Sequence, residues 1–572
     1  TTTYASNITF ADNISLGASA SRTITLGSTG TYTLSGILSG TGTSLTIGAT
    51  AAGTLLLTGA NTYSGTTTVN GGTLQLNRTG GGTLPSTSNI VVNGGTLKIS
   101  TNQTVNNLTV ASGASLIVDA GVTLTVNGTY SVSSTVSGNS GTIITNGTLK
   151  INEGGWPGNT GTFTYGASST LEFANTSSSY GVNSGDTWWP ATNGPVNVNV
   201  SGSAGITMNV ARTVSGLFQT SSGVTNANNL TLNGTGKLNS GGFFASIPVW
   251  GASSTLIYNT GGTFGRGNEF PNAGNLPSNV QVSGNTTVNY PNAGLAARTI
   301  TGDLTIDAGS ALYMDYGSPN PGVGTLTVKS VVLNGSLSLG SQTGGDLVVK
   351  GDFTRTGTLF PNSRAVFFNA ATGNQTITGA TTFDYVIVDK AAGNVVLAND
   401  ITVSQVLTLT NGLINTSSNK VVLSSSSASA LARTNGYVNG NLQRAVATGT
   451  NTYLYAVGTT TGYAPASFAF NSVGTGGNIT VATTDGVGPN YPSSLNATKK
   501  LGRYWSATNS GVAGYNTTTS SATFTYLTSP SDLLGGASSS NLKAYVYSGG
   551  SASYAVSNSN TSGSFTLNGF SN

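Results

Sequence analysis

The acid–base chemistry open to this chain is that of carboxylates. It has 16 Asp and Glu among 572 residues, and no His or Cys at all. Nucleophile triads and imidazole-based proton transfer are therefore excluded. Zinc sites lose their usual ligands. The repeat calcium signature Gly-Gly-x-Gly-x-Asp is absent, and no acidic cluster offers the six or more oxygens that calcium takes. Glycoside hydrolysis remains, and it needs two carboxylates about 5–10 Å apart on one surface. The first half of the chain offers Asp12, Asp119, Glu153, Glu172, Asp186 and Glu269. Glu153 and Glu172 are spaced so that they can approach across neighbouring coils. Isolated solubility charges on loops explain these acids better. Asp303 and Asp307 flank Leu304-Thr-Ile306 as turn residues do, and Asp315 follows. We read the chain as a non-enzyme with no catalytic, cofactor-binding or metal-binding residues.

Aromatic residues are the second group able to do something specific. Trp156, Trp188, Trp189 and Trp250 fall close together in the sequence, with Phe243, Phe244 and Phe270 near them. Exposed, they would make a platform for sugar rings or a protein partner. Packed, they would fill loops folded back on a flank. The packing reading is favoured, because an aromatic-Pro step recurs at equivalent places, Trp189-Pro190 and Phe270-Pro271.

Composition bounds the rest. Only 6% of residues are charged, against about 25% in ordinary soluble domains. Gly (81) and Pro (15) make up about 17% of the chain, short of the roughly 25–30% that signals disorder. Thr, Ser, Asn and Gly fill the remainder, which suits strands and turns. The net charge is +4, and Lys499-Lys500 is the single adjacent cationic pair. Nucleic acid, which demands clustered cations, is excluded as a partner. No apolar run approaches the length that a membrane-spanning helix needs, so no transmembrane helix is expected. The opening Thr-Thr-Thr reads as a mature, secreted product whose signal peptide is gone.

The elements that position these residues are repeats. Asn70-Gly-Gly-Thr-Leu-Gln-Leu-Asn77 recurs as Asn93-Gly-Gly-Thr-Leu-Lys-Ile-Ser100, and more briefly as Asn146-Gly-Thr-Leu-Lys-Ile-Asn152. Each is a turn followed by a short alternating strand, with Leu74 and Leu76 on one face. A longer repeat starts at Tyr165-Gly-Ala-Ser-Ser-Thr-Leu171 and returns as Trp250-Gly-Ala-Ser-Ser-Thr-Leu256. A looser copy begins near Arg364-Ala-Val-Phe-Phe368. Near-identical units in series favour stacking over hairpin pairing. The spacing predicts an all-β chain: a parallel β-solenoid over 31–430, with cassettes starting near 165, 250 and 363. About 20 coils at ~4.8 Å each would stack to a length on the order of 90–100 Å. Longer, unrepeated, aromatic-rich strands over 435–572 predict a C-terminal antiparallel β-sandwich.

Leu55-Leu-Leu-Thr-Gly-Ala-Asn-Thr-Tyr-Ser-Gly-Thr-Thr-Thr-Val-Asn-Gly-Gly-Thr-Leu-Gln-Leu76 resembles the passenger-associated repeat of bacterial autotransporters. That resemblance implies a secreted, right-handed β-helix. Four further segments resemble large surface proteins of Bacteroidetes exported by the type IX system. They are Gly436-Tyr-Val-Asn-Gly-Asn-Leu-Gln-Arg444, Tyr455-Ala-Val-Gly458, Tyr463-Ala-Pro465 and Arg503-Tyr-Trp505. Members of that group are mostly adhesins, sheath or matrix proteins, which implies an extracellular or cell-surface location. A sorting domain removed at export would fit the end at Phe570-Ser-Asn572.

A solenoid has two open ends, and an unguarded strand edge invites pairing. Residues 1–30 read as a strand segment without a cap, open to donation into a neighbouring subunit. Ile8, Phe10, Ile14 and Leu16 would carry the contact. The expected function is a structural protein that self-assembles head to tail into a filament or sheath, its partners being copies of itself. The alternative is a monomeric adhesin whose solenoid is a stalk and whose Trp-bearing flank or sandwich binds surface glycans or cells.

Overall fold

The computed structural model describes residues 7–570 apart from 51, 293–294, 318–322, 490, 492, 494, 549–550 and 555–557. The chain is nearly all β, and its dominant element is a parallel β-solenoid of about 21 turns. It divides into two compact units: residues 1–262 with 267–278, and residues 263–266 with 279–572.

In the first unit, equivalent strands of successive coils stack in register. Leu55, Leu74, Leu97 and Leu116 form one ladder, each contributed by the next coil. Leu57, Leu76, Ile99 and Val118 form a second, and both ladders are buried. The period-2 alternation sets which residues face in, and parallel pairing then places like side chains on like. The longest sheet runs from Ser21–Leu26 through Ser44–Ala49, Thr67–Val69 and Asn89–Val92 on to Thr255–Asn259. A third face is built of Gln103–Val105, Thr123–Val126, Thr142–Thr145 and Thr162–Tyr165.

The corners explain the repeat's Asn-Gly-Gly. Gly95 has φ +68°, and a Cβ there would lie 2.3 Å from the carbonyl oxygen of Gly72 in the coil below. Both the backbone conformation and the closeness of the stacked turn exclude a side chain. The Asn residues stack as well: Asn93 Nδ2 donates to Asn70 Oδ1 at 3.1 Å, and Asn146 Nδ2 to Asn127 Oδ1 at 2.9 Å. Such ladders satisfy corner amides without charge.

Longer cassette loops enlarge the core of this unit. Between Leu171 and its stacked partner Val198 the coil is longer than those before it. The added chain brings Tyr180, Trp188 and Trp189 against Phe173, with ring centroids 5.4–5.9 Å apart.

The second unit continues the same construction. Asn279–Val282, Leu304–Ile306, Val331–Leu333 and Phe353–Arg355 form one face, and Leu326–Val328, Leu347–Val349 and Ala365–Phe368 another. From Thr381–Asp389 onward several strands are longer and pass around a corner, with register shifts at Phe383/Tyr385 and at Asn415/Lys420.

Parallel pairing gives way to antiparallel pairing at one strand. Tyr437–Val446 lies parallel to Leu413–Leu423 on one edge and antiparallel to Gly477–Asp485 on the other. Arg503–Ser510 completes that sheet. A second antiparallel sheet contains Gly449–Tyr455, Ala466–Val473, Ser521–Thr525, Ser564–Asn568 and Asn558–Thr561. Aromatics fill the space between the two sheets: Trp505 lies 5.2 Å from Phe524 and 5.7 Å from Phe565. This is the expected sandwich, and it shares a strand with the last solenoid coil.

Candidate functional site

The first coil holds the four residues expected to carry assembly. Ile8–Phe10 pairs with Thr31–Leu34, Ile14–Ser15 with Leu38–Ser39, and Ser21–Leu26 with Ser44–Ala49. All three pairings are parallel and within the chain. Residues 8–26 are thus a coil of the solenoid rather than a segment apart from it; residues 1–6 lie outside the described residues. Asn13 Oδ1 accepts from the Ile37 amide at 2.8 Å, and Asn7 Oδ1 from the Thr31 amide at 3.0 Å.

The register shows where these side chains point. Phe10 stacks on Leu34, Ile14 on Leu38, and Ile24 on Ile47, and all three lower partners are buried core residues. Phe10 is nevertheless 51% exposed and Ile14 36%, while Leu16 is buried. Inward-pointing apolar residues at this level have a layer beneath them and none above among the described residues. Two charges sit in the first coil, Asp12 at a bend and Arg22 in the inward row. Arg22 stacks on buried Leu45, and its Nε donates to the Leu16 carbonyl at 2.9 Å. An inward charge of this kind is a common guard on a sheet edge.

The Trp platform is not formed. Trp188 and Trp189 are fully buried and Trp250 nearly so. Trp250 Nε1 donates to the Glu269 carbonyl at 3.0 Å, and the Tyr165 hydroxyl donates to the Trp188 carbonyl. Trp156 is half-buried, with its indole 3.3 Å from Asp186 Oδ1. As ligand-facing residues Trp188, Trp189 and Trp250 are corrected: the cassette loops fold them into the core, where their apolar area outweighs what a surface position would gain.

The carboxylates are engaged one by one. Glu153 accepts from the backbone amides of Thr176 at 2.7 Å and Ser177 at 3.0 Å, and these bonds hold its pKa below the ordinary value. Glu172 lies beside Lys150 in the ladder, 3.1 Å away, and accepts from Ser201 Oγ at 2.8 Å. Asp186 accepts from the Asn183 amide at 2.6 Å. Glu269 is buried and takes the Tyr258 hydroxyl at 2.9 Å. Asp307 accepts from Gln281 and Asp315 from Asn362. Among the described residues no group of three or more His, Cys, Asp and Glu could hold a metal ion. A cleft of about 410 Å³ lined by Gly82, Leu84, Asn102, Gln103, Thr104 and Thr125 is neutral throughout. The Gln103 amide is committed there to both backbone groups of Leu84.

Four arginines escape notice as functional in the sequence, yet they organise the first coil of one unit and the sandwich of the other. Arg22 is one. Arg444 is buried on the strand shared by solenoid and sandwich. Its Nη1 donates to the Leu454 carbonyl at 2.7 Å, its Nη2 to the carbonyls of Ser427 and Ala428 at 2.9 Å, and burial lowers its pKa. Arg433 lies over the Tyr463 ring at 3.5 Å. The fully buried Arg503 side chain bonds Asp485 at 2.7 Å and Asp532 at 2.8 Å. A signal was present for three of them. Arg22, Arg444 and Arg503 fall at the inward step of alternating strands, where apolar residues are the norm. They also explain part of the 436–505 motifs: Arg444, Tyr463 and Arg503 tie the sandwich together and to the last coil.

The passenger-associated-transport-repeat family matches residues 52–76. No curated protein and no solved structure matches the chain. The matched residues span the corner and strands that carry the Leu55/Leu74 and Leu57/Leu76 ladders. Together the passenger-type repeat and the β-solenoid suggest an extracellular surface protein. No helix among the described residues is long and apolar enough to cross a membrane.

Proposed function

We propose that this protein is a non-catalytic structural subunit that assembles head to tail into a filament or sheath outside the cell. The observation that carries this reading is the uncovered inward layer of the first coil, where Phe10 and Ile14 stay exposed although they stack on buried core residues. Leaving such a layer in water costs about 1.5–3 kcal/mol per large side chain. A further layer of protein recovers it. Head-to-tail contacts are heterologous and propagate unless they close into a ring. Export by a type IX route and residence in a biofilm matrix belong to the same proposal.

Electron microscopy of native material at neutral pH tests it. Regular filaments are expected. Dispersed single particles at all concentrations would overturn the structural reading and leave the adhesin.

One observation favours that second reading. Tyr491 and Tyr545 sit 5.8 Å apart with Lys500 over Tyr491, and Tyr547 is exposed on the strand that carries Tyr545. Aromatic faces beside a cation suit sugar rings. Binding of soluble monomer on a glycan array, lost in Tyr547→Ala, would support it.

A further inference from the structure

We infer that the joint between copies is a parallel strand pair: the outer edge of Arg503–Ser510 in one copy takes Ser21–Leu26 of the next. This deepens the head-to-tail reading and rests on it.

Strand direction carries the argument. Tyr437–Val446 runs with the parallel strands of its unit. Gly477–Asp485 runs against it, and Arg503–Ser510 runs against that strand in turn. Two reversals restore the original direction. The last strand of the sandwich's first sheet therefore presents an edge with the polarity of the solenoid, and a further strand can add to it as a coil would.

The edge is also unguarded. Natural edge strands are blunted by charges, prolines or bulges. Arg503–Ser510 has no Pro, its one charge is buried at the start, and Ser506, Ala507 and Thr508 are exposed and neutral. Its pairing with Gly477–Asp485 continues along the whole strand without a register shift. Ser21–Leu26 is its counterpart. Among the described residues it pairs only with Ser44–Ala49, again along its whole length without a shift. Its outward residues Ser21, Thr23 and Thr25 are exposed and neutral; its one charge, Arg22, stands exposed in the inward row with Nε on the Leu16 carbonyl, so this edge carries a single guard. Among the described residues each of these strands has a neighbour on one side only, and the two edges, of similar length and with Arg22 as their one exposed charge, complement each other between copies. Main-chain hydrogen bonds would supply the affinity, and the joined sheet would leave no open edge at the contact.

The absence of Cys makes the test clean. Thr508 lies opposite Thr480, whose hydroxyl meets Gln443 on the outer face; Thr23 is outward on its own strand. Thr23→Cys and Thr508→Cys are made as single variants, mixed, and oxidised mildly. Thr25→Cys with Thr508→Cys, and Thr23→Cys with Ser506→Cys, cover the neighbouring parallel register, and Lys98→Cys serves as a control on a side face. The expected result is a disulfide heterodimer in large excess over either homodimer, and a ladder in multiples of 57.2 kDa when one chain carries both changes. Filaments that form normally but never cross-link at any of these pairs would overturn the strand joint and leave assembly standing. Absence of both filaments and cross-links would overturn the assembly reading itself. Cross-linking of the control as strongly as the test pairs would show random collision and also overturn the joint.

Discussion

A residue such as Arg503 shows how a chain with few charges uses them. Its guanidinium is fully buried between Asp485 and Asp532. Removing one member of a buried pair strands the other, which costs about 3–5 kcal/mol. Arg503→Ala is expected to lower the stability of the sandwich by that order in denaturant unfolding, and Asp532→Ala in the same chain to return part of the loss. Glu153 is the opposite case, an exposed carboxylate whose work is local. Amides of Thr176 and Ser177 lower its pKa in the folded state. Its contribution is therefore complete above the unfolded value and lost as pH falls through the lowered folded one. Hydrogen exchange in residues 174–179 should show protection at neutral pH that fades in the acid range below about pH 4. Glu153→Gln should lack that pH step. An unchanged step would remove Glu153 as its cause.

At the scale of the element, the ladder decides what a substitution costs. Leu97 is buried between Leu74 and Leu116, while Lys98 beside it faces outward, 3.7 Å from Asp119. Leu97→Ala should destabilise by about 2–5 kcal/mol, and Lys98→Ala by no more than about 1 kcal/mol, as for other exposed pairs. Because each coil touches only its neighbours, the Leu97 loss should appear first as local opening of residues 73–118 in hydrogen exchange. Uniform loss of protection across the first unit would contradict that. These ladders were legible in the sequence, since alternation and a repeated Asn-Gly-Gly corner specify strand, face and turn. The Trp loops were not. The stretch between Phe173 and Asn197 carries no period, and only the recurrence of an aromatic-Pro step hinted that Trp189 and Phe270 turn inward.

For the molecule as a whole, assembly should be insensitive to the ions around it. Charged residues make up 6% of the chain, and the edges proposed to meet carry only two, buried Arg503 and exposed Arg22. At 1 M salt the screening length is about 3 Å, enough to abolish contacts between exposed charges but not main-chain pairing or apolar burial. Filaments seen by electron microscopy should survive salt at about 1 M and a chelator alike. Dissolution by salt would show an ionic joint, and dissolution by chelator a bridging cation.

By itself the sequence determined the local rules: strands, their inward faces, the solenoid, the sandwich after it, and the exclusion of His- and Cys-based chemistry. Those follow from period, turn residues and composition, which act over a few neighbouring positions. What only the tertiary structure decided depends on residues far apart in the chain. That Phe10 and Ile14 are uncovered, that Trp188 and Trp189 are enclosed, and that Arg503–Ser510 ends up running with the solenoid are outcomes of which strand lies beside which. Pairing partners one coil or more away along the chain set burial and direction there, and no local pattern carries that information.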